Sequence, residues 1–201
     1  RDYVRRIRQH ASLGIFCGRN EGYPPATIDR SLRHFVASLA PGMAYIPSSA
    51  DDCVTGHGPY CAQPARVYFE RQSGKIHTER GLPNVMNYED LARTIEPDSP
   101  WPQSKQWGQH DYTLRGAQRA SEFNGLVGQA FGPSRSAKEF TRRAQLINYN
   151  GYRSMFEATS VSRAGLLIWM SHPCWPSMVW QTYDYYFEPT AAFFGMKKGC
   201  E

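Results

Sequence analysis

Residues 13–25, LGIFCGRNEGYPP, decide the predicted fold class. Residues 13–18 form a continuous apolar run, which is typical of a strand buried on both faces of a parallel sheet. The run stops at Arg19, and an amide and a carboxylate follow at Asn20 and Glu21. The glycine and the two prolines in residues 22–25 predict a loop. This stretch therefore predicts a buried parallel strand that ends on a polar pair.

Strand-like and helical segments alternate along the rest of the chain. Further strands are predicted at 43–46, 54–60 (its first part only), 75–79 and 165–170, and helices at 1–10, 28–39, 87–96, 114–131, 135–160 and 190–198. Thr27 is the predicted N-cap of the helix at 28–39. Solid apolar strands that alternate with helices indicate βα units on a parallel sheet. The sequence therefore predicts an α/β fold.

Composition excludes several classes of partner. No run of about 18 apolar residues occurs, so no membrane partner is predicted. The net charge of +5 comes from scattered basic residues, and their densest cluster, in residues 1–8, has no interleaved aromatic residue apart from Tyr3, so no nucleic-acid partner is predicted. The five cysteines lack CxxC spacing, which argues against a zinc site and a dense disulfide framework. We predict no metal and no cofactor.

Two glutamates end predicted strands. Glu21 follows the strand at 13–18, and Glu79 ends the strand at 75–79. In parallel α/β folds the chemistry collects beyond the carboxyl ends of the strands. One such glutamate is most simply a helix cap or a salt-bridge partner, but a retaining glycosidase needs two carboxyl groups about 5–5.5 Å apart. Sugars also present apolar faces, for which tryptophans such as Trp169, Trp175 and Trp180 make suitable pocket walls.

Four segments carry a resemblance to a known family. They are CGRNEGYPP, GHGPY, HTERGLPN and WPSMVWQTYDYYFEPTAAFFGMKKGCE, and they occur in this order over nearly the whole chain. Together they resemble family-2 glycoside hydrolases, most closely the β-mannosidase and exo-β-glucosaminidase-like members. The resemblance implies a catalytic (β/α)₈ barrel and a β-linked oligosaccharide or glycoside as the partner.

The resemblance also implies catalytic roles. Glu21, after the fourth barrel strand, is similar to the general acid/base, and Glu79, at the end of the seventh strand, to the nucleophile. Asn20 is similar to the residue that binds the sugar 2-hydroxyl group. Tyr60 is expected near Glu79, where it would orient the nucleophile.

Three tryptophans are candidates for contact with the sugar. Trp169, at the end of the eighth strand, is expected to form the floor of the subsite for the cleaved sugar. Trp175 is a candidate for the pocket wall, and Trp107 is a candidate for the pocket rim. The sugar itself stays open, as does the choice between exo and endo action. The resemblance favours a periplasmic or secreted enzyme.

The chain departs from the family pattern in length. A complete barrel runs to roughly 250 residues, and the first strand here is similar to the fourth of the barrel. We therefore expect residues 1–201 to be one partial catalytic domain, from strand four to helix eight, of a larger multidomain enzyme. We expect this fragment to be inactive by itself, and to form a homodimer through exposed barrel edges at 13–18 and 165–170.

Two other functions stay open. A metal-dependent hydrolase could use His57, His77 and Glu79, with His110 and Asp111 as further ligand types, although no HExxH or CxxC spacing occurs. A non-catalytic carbohydrate-binding or structural domain could share the family's shape. A serine nucleophile is set aside because the chain has no GxSxG elbow.

Overall fold

The computed structural model describes residues 1–70, 73–95, 101–112, 120–162 and 164–201. The chain divides into two compact units. The N-terminal unit comprises Arg1–His57 and Lys75–Thr78, and the C-terminal unit comprises Gly58–Gly74 and Glu79–Glu201. In the described residues, no helix is both long enough and apolar enough to cross a membrane.

The N-terminal unit contains two parallel strand pairs. Its elements are α1 (Asp2–Ile7), β1 (Ile15–Arg19), α2 (Ala26–Leu39), β2 (Ala44–Ser48), β3 (Val54–Thr55) and the first residues of β4 (Ile76–Arg80). β1 pairs with β2 in parallel, with Ile15 opposite Ala44. β3 pairs with β4 in parallel, with Val54 opposite Ile76. These pairings confirm the parallel arrangement predicted from the solid apolar runs.

The prediction that the first strand is buried on both faces is wrong. Phe16 is buried against a small cluster that includes Val4 and Val36, whereas Ile15 is 37% exposed and Cys17 is exposed. Successive side chains of a strand point to opposite faces, and among the described residues of this unit the helices cover only the face that carries Phe16. An apolar run therefore indicated a strand here, but not its burial.

The N-cap prediction for α2 is also wrong. The helix begins at Ala26 and Pro25 is its N-cap residue, so Thr27 lies inside the first turn. Pro25 has φ −51° and ψ 142°, the non-helical backbone usual for an N-cap residue, and no side chain caps this helix end. The helix ends at Leu39, as its apolar stripe predicts.

The C-terminal unit is mostly helical. Its elements are α3 (Ala65–Glu70), the end of β4, α4 (Tyr88–Thr94), α5 (Lys105–Gln109), α6 (Ala120–Phe131), α7 (Ala137–Ser162), β5 (Gly165–Ile168) and α8 (Ala191–Gly199). β5 is the sheet neighbour of β4. The short helices α3 and α5 are not predicted by the sequence. Residue 96 of one predicted helix, residues 97–100 and residues 114–119 of another predicted helix lie outside the described residues.

Helix α7 organises the core of the C-terminal unit. One core cluster includes Trp107, Phe123 and Phe140, and a second includes Tyr68, Leu82, Tyr152 and Met155. α8 lies directly against the backbone of α7: a Cβ atom at Gly195 would stand 2.2 Å from the Tyr149 carbonyl oxygen. The observed architecture is mixed α/β, in agreement with the predicted class.

Candidate active site

Asn20 and Glu21 follow β1 directly and are held by one serine. The Glu21 backbone amide donates to Ser49 Oγ over 2.8 Å, and the Ser49 hydroxyl donates to Asn20 Oδ1 over 3.2 Å. Ser49 follows β2, the parallel neighbour of β1. The carboxyl ends of the two strands thus meet through a side-chain contact.

Glu21 is in a backbone conformation that glutamate seldom adopts. Its φ is +54°, in the left-handed region, and that of His57 is +63°. A non-glycine residue in a sparsely populated region costs about 1–3 kcal/mol and is found most often at functional sites. The Glu21 side chain is 39% exposed, and its Oε1 lies 3.2 Å from Nδ1 of His57. The carboxyl group is therefore accessible to solvent and lies beside the His57 ring.

Glu79 has a more enclosed environment. It is the fourth residue of β4 and is half-buried. The Tyr60 hydroxyl donates to Glu79 Oε2 over 2.8 Å. The Tyr60 ring in turn packs against Trp180, with the ring centroids 4.9 Å apart. A hydrogen bond to a charged carboxylate is stronger than one between neutral groups, so Tyr60 fixes the orientation of the Glu79 carboxyl group.

Trp169 lies beside the strand that carries Glu79. Its backbone amide donates to the Arg80 carbonyl oxygen over 2.9 Å, and its peptide bond to Met170 is cis. A Cβ atom at Gly81 would stand 2.2 Å from the Trp169 carbonyl oxygen, so this close approach requires glycine. The Trp169 side chain is 43% exposed.

Two further predicted tryptophans differ in accessibility. Trp175 is 41% exposed and stacks on His110, with the ring centroids 6.0 Å apart. Trp107 has no exposed surface and packs edge-on against Tyr112 at 5.3 Å. Trp107 as a pocket-rim residue is therefore wrong: the short helix α5 turns its ring into the core.

The sequence did not predict the contacts of Ser49 with Asn20 and Glu21, nor the contact of Trp180 with Tyr60. Ser49 lies in the segment Pro47-Ser48-Ser49, where nothing distinguishes it from its neighbour. Its contacts join residues 28 and 29 positions apart, and no local pattern reports such pairs. Trp180 could be recognised as a candidate site residue, since it lies in the aromatic segment near the end of the chain.

The residues of the metal-hydrolase alternative are separately engaged. His57 contacts Glu21, His77 is buried in β4, and Nδ1 of His110 lies 2.6 Å from the Pro176 carbonyl oxygen. Within the described ranges, no group of three or more histidine, cysteine, aspartate or glutamate side chains is arranged to hold a metal ion.

Comparison with known proteins finds glycosidases. No family model matches the chain. Exo-β-D-glucosaminidase of Streptomyces avermitilis is 25% identical over 98% of this chain and 24% of its own length. Mannosylglycoprotein endo-β-mannosidase of Lilium longiflorum is 24% identical over the whole of this chain and 26% of its own. The chain thus spans about a quarter of the length of these relatives.

A solved structure has the same fold over this length. The exo-chitosanase of Amycolatopsis orientalis superposes with a TM-score of 0.82 over 98% of this chain and 26% of its own, at 22% identity. These findings confirm the resemblance to family-2 glycoside hydrolases. More narrowly, the chain is similar to proteins named exo-β-D-glucosaminidase and β-mannosidase.

Proposed function

We propose that this chain is part of the catalytic domain of a retaining β-glycosidase that removes β-linked sugars. The observation that carries the proposal is similarity to named glycosidases along the whole chain, together with one carboxylate shortly after β1 and another in the last two residues of β4. A pair of carboxyl groups is the chemical requirement of this reaction.

The two glutamates take different parts in two steps. In the first step Glu79 attacks the anomeric carbon, the glycosidic C–O bond breaks, and Glu21 gives its proton to the leaving oxygen. In the second step Glu21 takes a proton from water, the water oxygen bonds to the anomeric carbon, and Glu79 leaves. Glu79 and Glu21 return to their starting protonation states, so the cycle balances.

The residues around the two glutamates bind the sugar and orient the nucleophile. The Tyr60 hydroxyl group holds Oε2 of the nucleophile, Glu79, in place. Asn20 hydrogen-bonds the substituent at C2 of the sugar, where a contact can strengthen in the transition state. Trp169 forms the floor of the subsite for the cleaved sugar, and Trp175 contributes to its wall; both rings have the exposed surface that such roles need.

The separation of the catalytic carboxyl groups stays a prediction. Glu21 belongs to the N-terminal unit and Glu79 to the C-terminal unit. We expect their carboxyl groups to lie about 5–6 Å apart in the complete enzyme. A separation beyond about 10 Å in a crystal structure of the complete enzyme would contradict the assigned pair.

The fold proposed for the complete domain is a (β/α)₈ barrel, and residues 1–201 are its portion from strand four to helix eight. The parallel strand pairs and the superposition on about a quarter of an exo-chitosanase support it. Such a barrel takes roughly 250 residues, more than the 201 present. We therefore expect the isolated chain to be inactive.

Self-association of the isolated chain is a further expectation. Ile15 on β1 and Leu167 on β5 are 37% and 58% exposed. Apolar strands with open edges pair readily with another chain, and we expect a homodimer. Light scattering on the 201-residue chain tests this expectation, and a soluble monomer would contradict it.

A panel of chromogenic β-glycosides, assayed with the complete protein, tests the proposed function. We expect hydrolysis of at least one glycoside, and NMR of the first-formed sugar should show the β anomer because two displacements retain configuration. An α anomer would contradict the retaining mechanism. Binding of a sugar without any hydrolysis would favour the non-catalytic carbohydrate-binding alternative.

A further inference from the structure

Ser49 connects three parts of the N-terminal unit. Its hydroxyl group contacts both Asn20 and Glu21, as described above, and its own amide donates to the Arg19 carbonyl oxygen over 3.0 Å. Its carbonyl oxygen accepts a hydrogen bond from the Thr78 hydroxyl. Ser49 is itself half-buried. These contacts hold the backbone of Ser49 in place, and its hydroxyl group in turn holds the two residues that follow β1.

The direction of the hydrogen bonds orients the Asn20 amide. A serine hydroxyl group has one proton to donate and lone pairs that accept. The backbone amide of Glu21 can only donate, so it binds a lone pair of the Ser49 hydroxyl oxygen. The hydroxyl proton of Ser49 is therefore donated to Asn20 Oδ1. The Asn20 NH₂ group then points away from Ser49. Within the described residues of the N-terminal unit, Nδ2 has no acceptor.

We infer that Ser49 is a positioning residue that makes the active site select sugars with a hydroxyl group at C2 over sugars with an ammonium group there. This inference rests on the proposed function, in which Asn20 contacts the C2 substituent. An NH₂ group can donate to a hydroxyl oxygen, which has lone pairs. A protonated amine has none and only donates, so the two donors repel. The substrate class is therefore a neutral β-glycoside rather than a β-glucosaminide.

The contact is expected to have a large effect on selectivity. A site built around one hydrogen bond discriminates strongly when the bound group cannot make that bond, because a polar group of the site is left unpaired. We expect kcat/KM for a neutral β-glycoside to exceed that for the β-glucosaminide by more than about tenfold. The inference thus separates this protein from relatives that are named exo-β-D-glucosaminidases.

The test uses the complete protein and matched p-nitrophenyl substrates: β-mannoside, β-glucoside and β-glucosaminide, at pH 6, where an alkyl amine is protonated. Ser49→Ala removes the hydroxyl group that orients the Asn20 side-chain amide, so that this amide can rotate. We expect it to reduce the preference for the neutral sugar by about tenfold, with most of the loss in kcat on that sugar. Ser49→Thr keeps the hydroxyl group and should restore the preference. Ser12→Ala, at an exposed serine of the same unit, is the matched control.

A second variant keeps the test decisive if Ser49→Ala does not fold. Asn20→Asp replaces the NH₂ group by an acceptor and should raise the relative rate on the β-glucosaminide. A wild-type protein that prefers the β-glucosaminide would overturn the inference and leave the proposed function intact. Equal losses on all substrates in Ser49→Ala, with no change in the Asn20→Asp ratio, would also overturn it. Absence of any glycoside hydrolysis would refute the proposed function instead.

Discussion

The two units hold their proposed catalytic glutamates in different ways. In the N-terminal unit, Glu21 is fixed through its backbone, by a left-handed φ and a bond to Ser49, while its carboxyl group is 39% exposed. In the C-terminal unit, Glu79 lies within a regular strand, and its carboxyl group is fixed by Tyr60 and the packed Trp180 ring. One residue has a fixed main chain and an accessible side chain, and the other has a fixed side chain.

This difference matches the proposed chemistry. A group that exchanges a proton first with a leaving group and then with water needs access to both. A nucleophile needs a fixed approach to one carbon atom, because small misplacements are costly. The comparison therefore predicts that removal of the two carboxylates, and of the groups that hold them, will have different consequences.

Glu79→Ala tests the C-terminal half of the comparison and should have the largest effect. Without the nucleophile no covalent intermediate forms, so we expect kcat to fall by roughly 10³-fold or more on every substrate. Steady-state assays of the complete protein measure this loss. Glu70→Ala, at an exposed glutamate of α3, serves as the control. More than a tenth of the wild-type activity in Glu79→Ala would break the comparison.

Glu21→Ala should have a large effect that depends on the substrate. Only poor leaving groups need a proton, so we expect a loss of kcat/KM on the order of 10²-fold on alkyl glycosides and a much smaller loss on dinitrophenyl glycosides. Parallel assays of both substrate types measure the difference, with Glu89→Ala as a control on the exposed face of α4. Equal losses on both types would remove Glu21 from the acid/base role.

Tyr60→Phe should have an intermediate effect, because it removes the hydroxyl group that donates to Glu79 and leaves the ring against Trp180. Hydrogen bonds to charged groups contribute about 1.5–3 kcal/mol, which corresponds to a loss of roughly 10- to 100-fold in kcat. We expect KM to change little, since Tyr60 holds the nucleophile rather than the sugar. Tyr3→Phe, at an exposed tyrosine, is the control. A change in KM alone would show that Tyr60 binds substrate instead.

The smallest expected effect concerns the buried carboxyl group of Asp184. Burial, with the neighbouring Asp90, raises the pKa of Asp184 to about 7. In the N-terminal unit the bond from Arg33, and then that from Tyr45, lowers the pKa of Asp29 instead. The folded state therefore holds the Asp184 proton more tightly than the unfolded state does. That contribution to stability is present at acidic pH and is lost as the pH rises from about 4 to about 7.

Thermal unfolding of the complete protein at pH 5 and pH 8 measures this dependence. We expect Asp184→Asn to reduce the loss of Tm between the two values by a few degrees, whereas Asp2→Asn, at an exposed position, should leave it unchanged. The same pH dependence in Asp184→Asn and in wild type would show that Asp184 is not responsible for it.

The sequence alone predicts the parts of the site that local patterns encode. Glu21 could be found because it follows an apolar run, Glu79 because it ends a strand-like segment, and Tyr60 because its motif resembles one of the family. Ser49 could not be found, because its contacts depend on β2 lying beside β1 in register. The burial of Trp107 could not be found either, since a tryptophan in a proline-rich segment suits a surface loop as well as a core.

Gly81 allows close packing between the strand that carries the proposed nucleophile, Glu79, and Trp169, the expected floor of the sugar subsite. It stands two residues after Glu79, and the Trp169 carbonyl oxygen occupies the space that a side chain would need. Any larger residue would have to push Trp169 away from β4, which would increase the distance between Trp169 and Glu79. Directed evolution toward a new sugar should therefore keep glycine at position 81, because a side chain there would displace the backbone that carries Trp169.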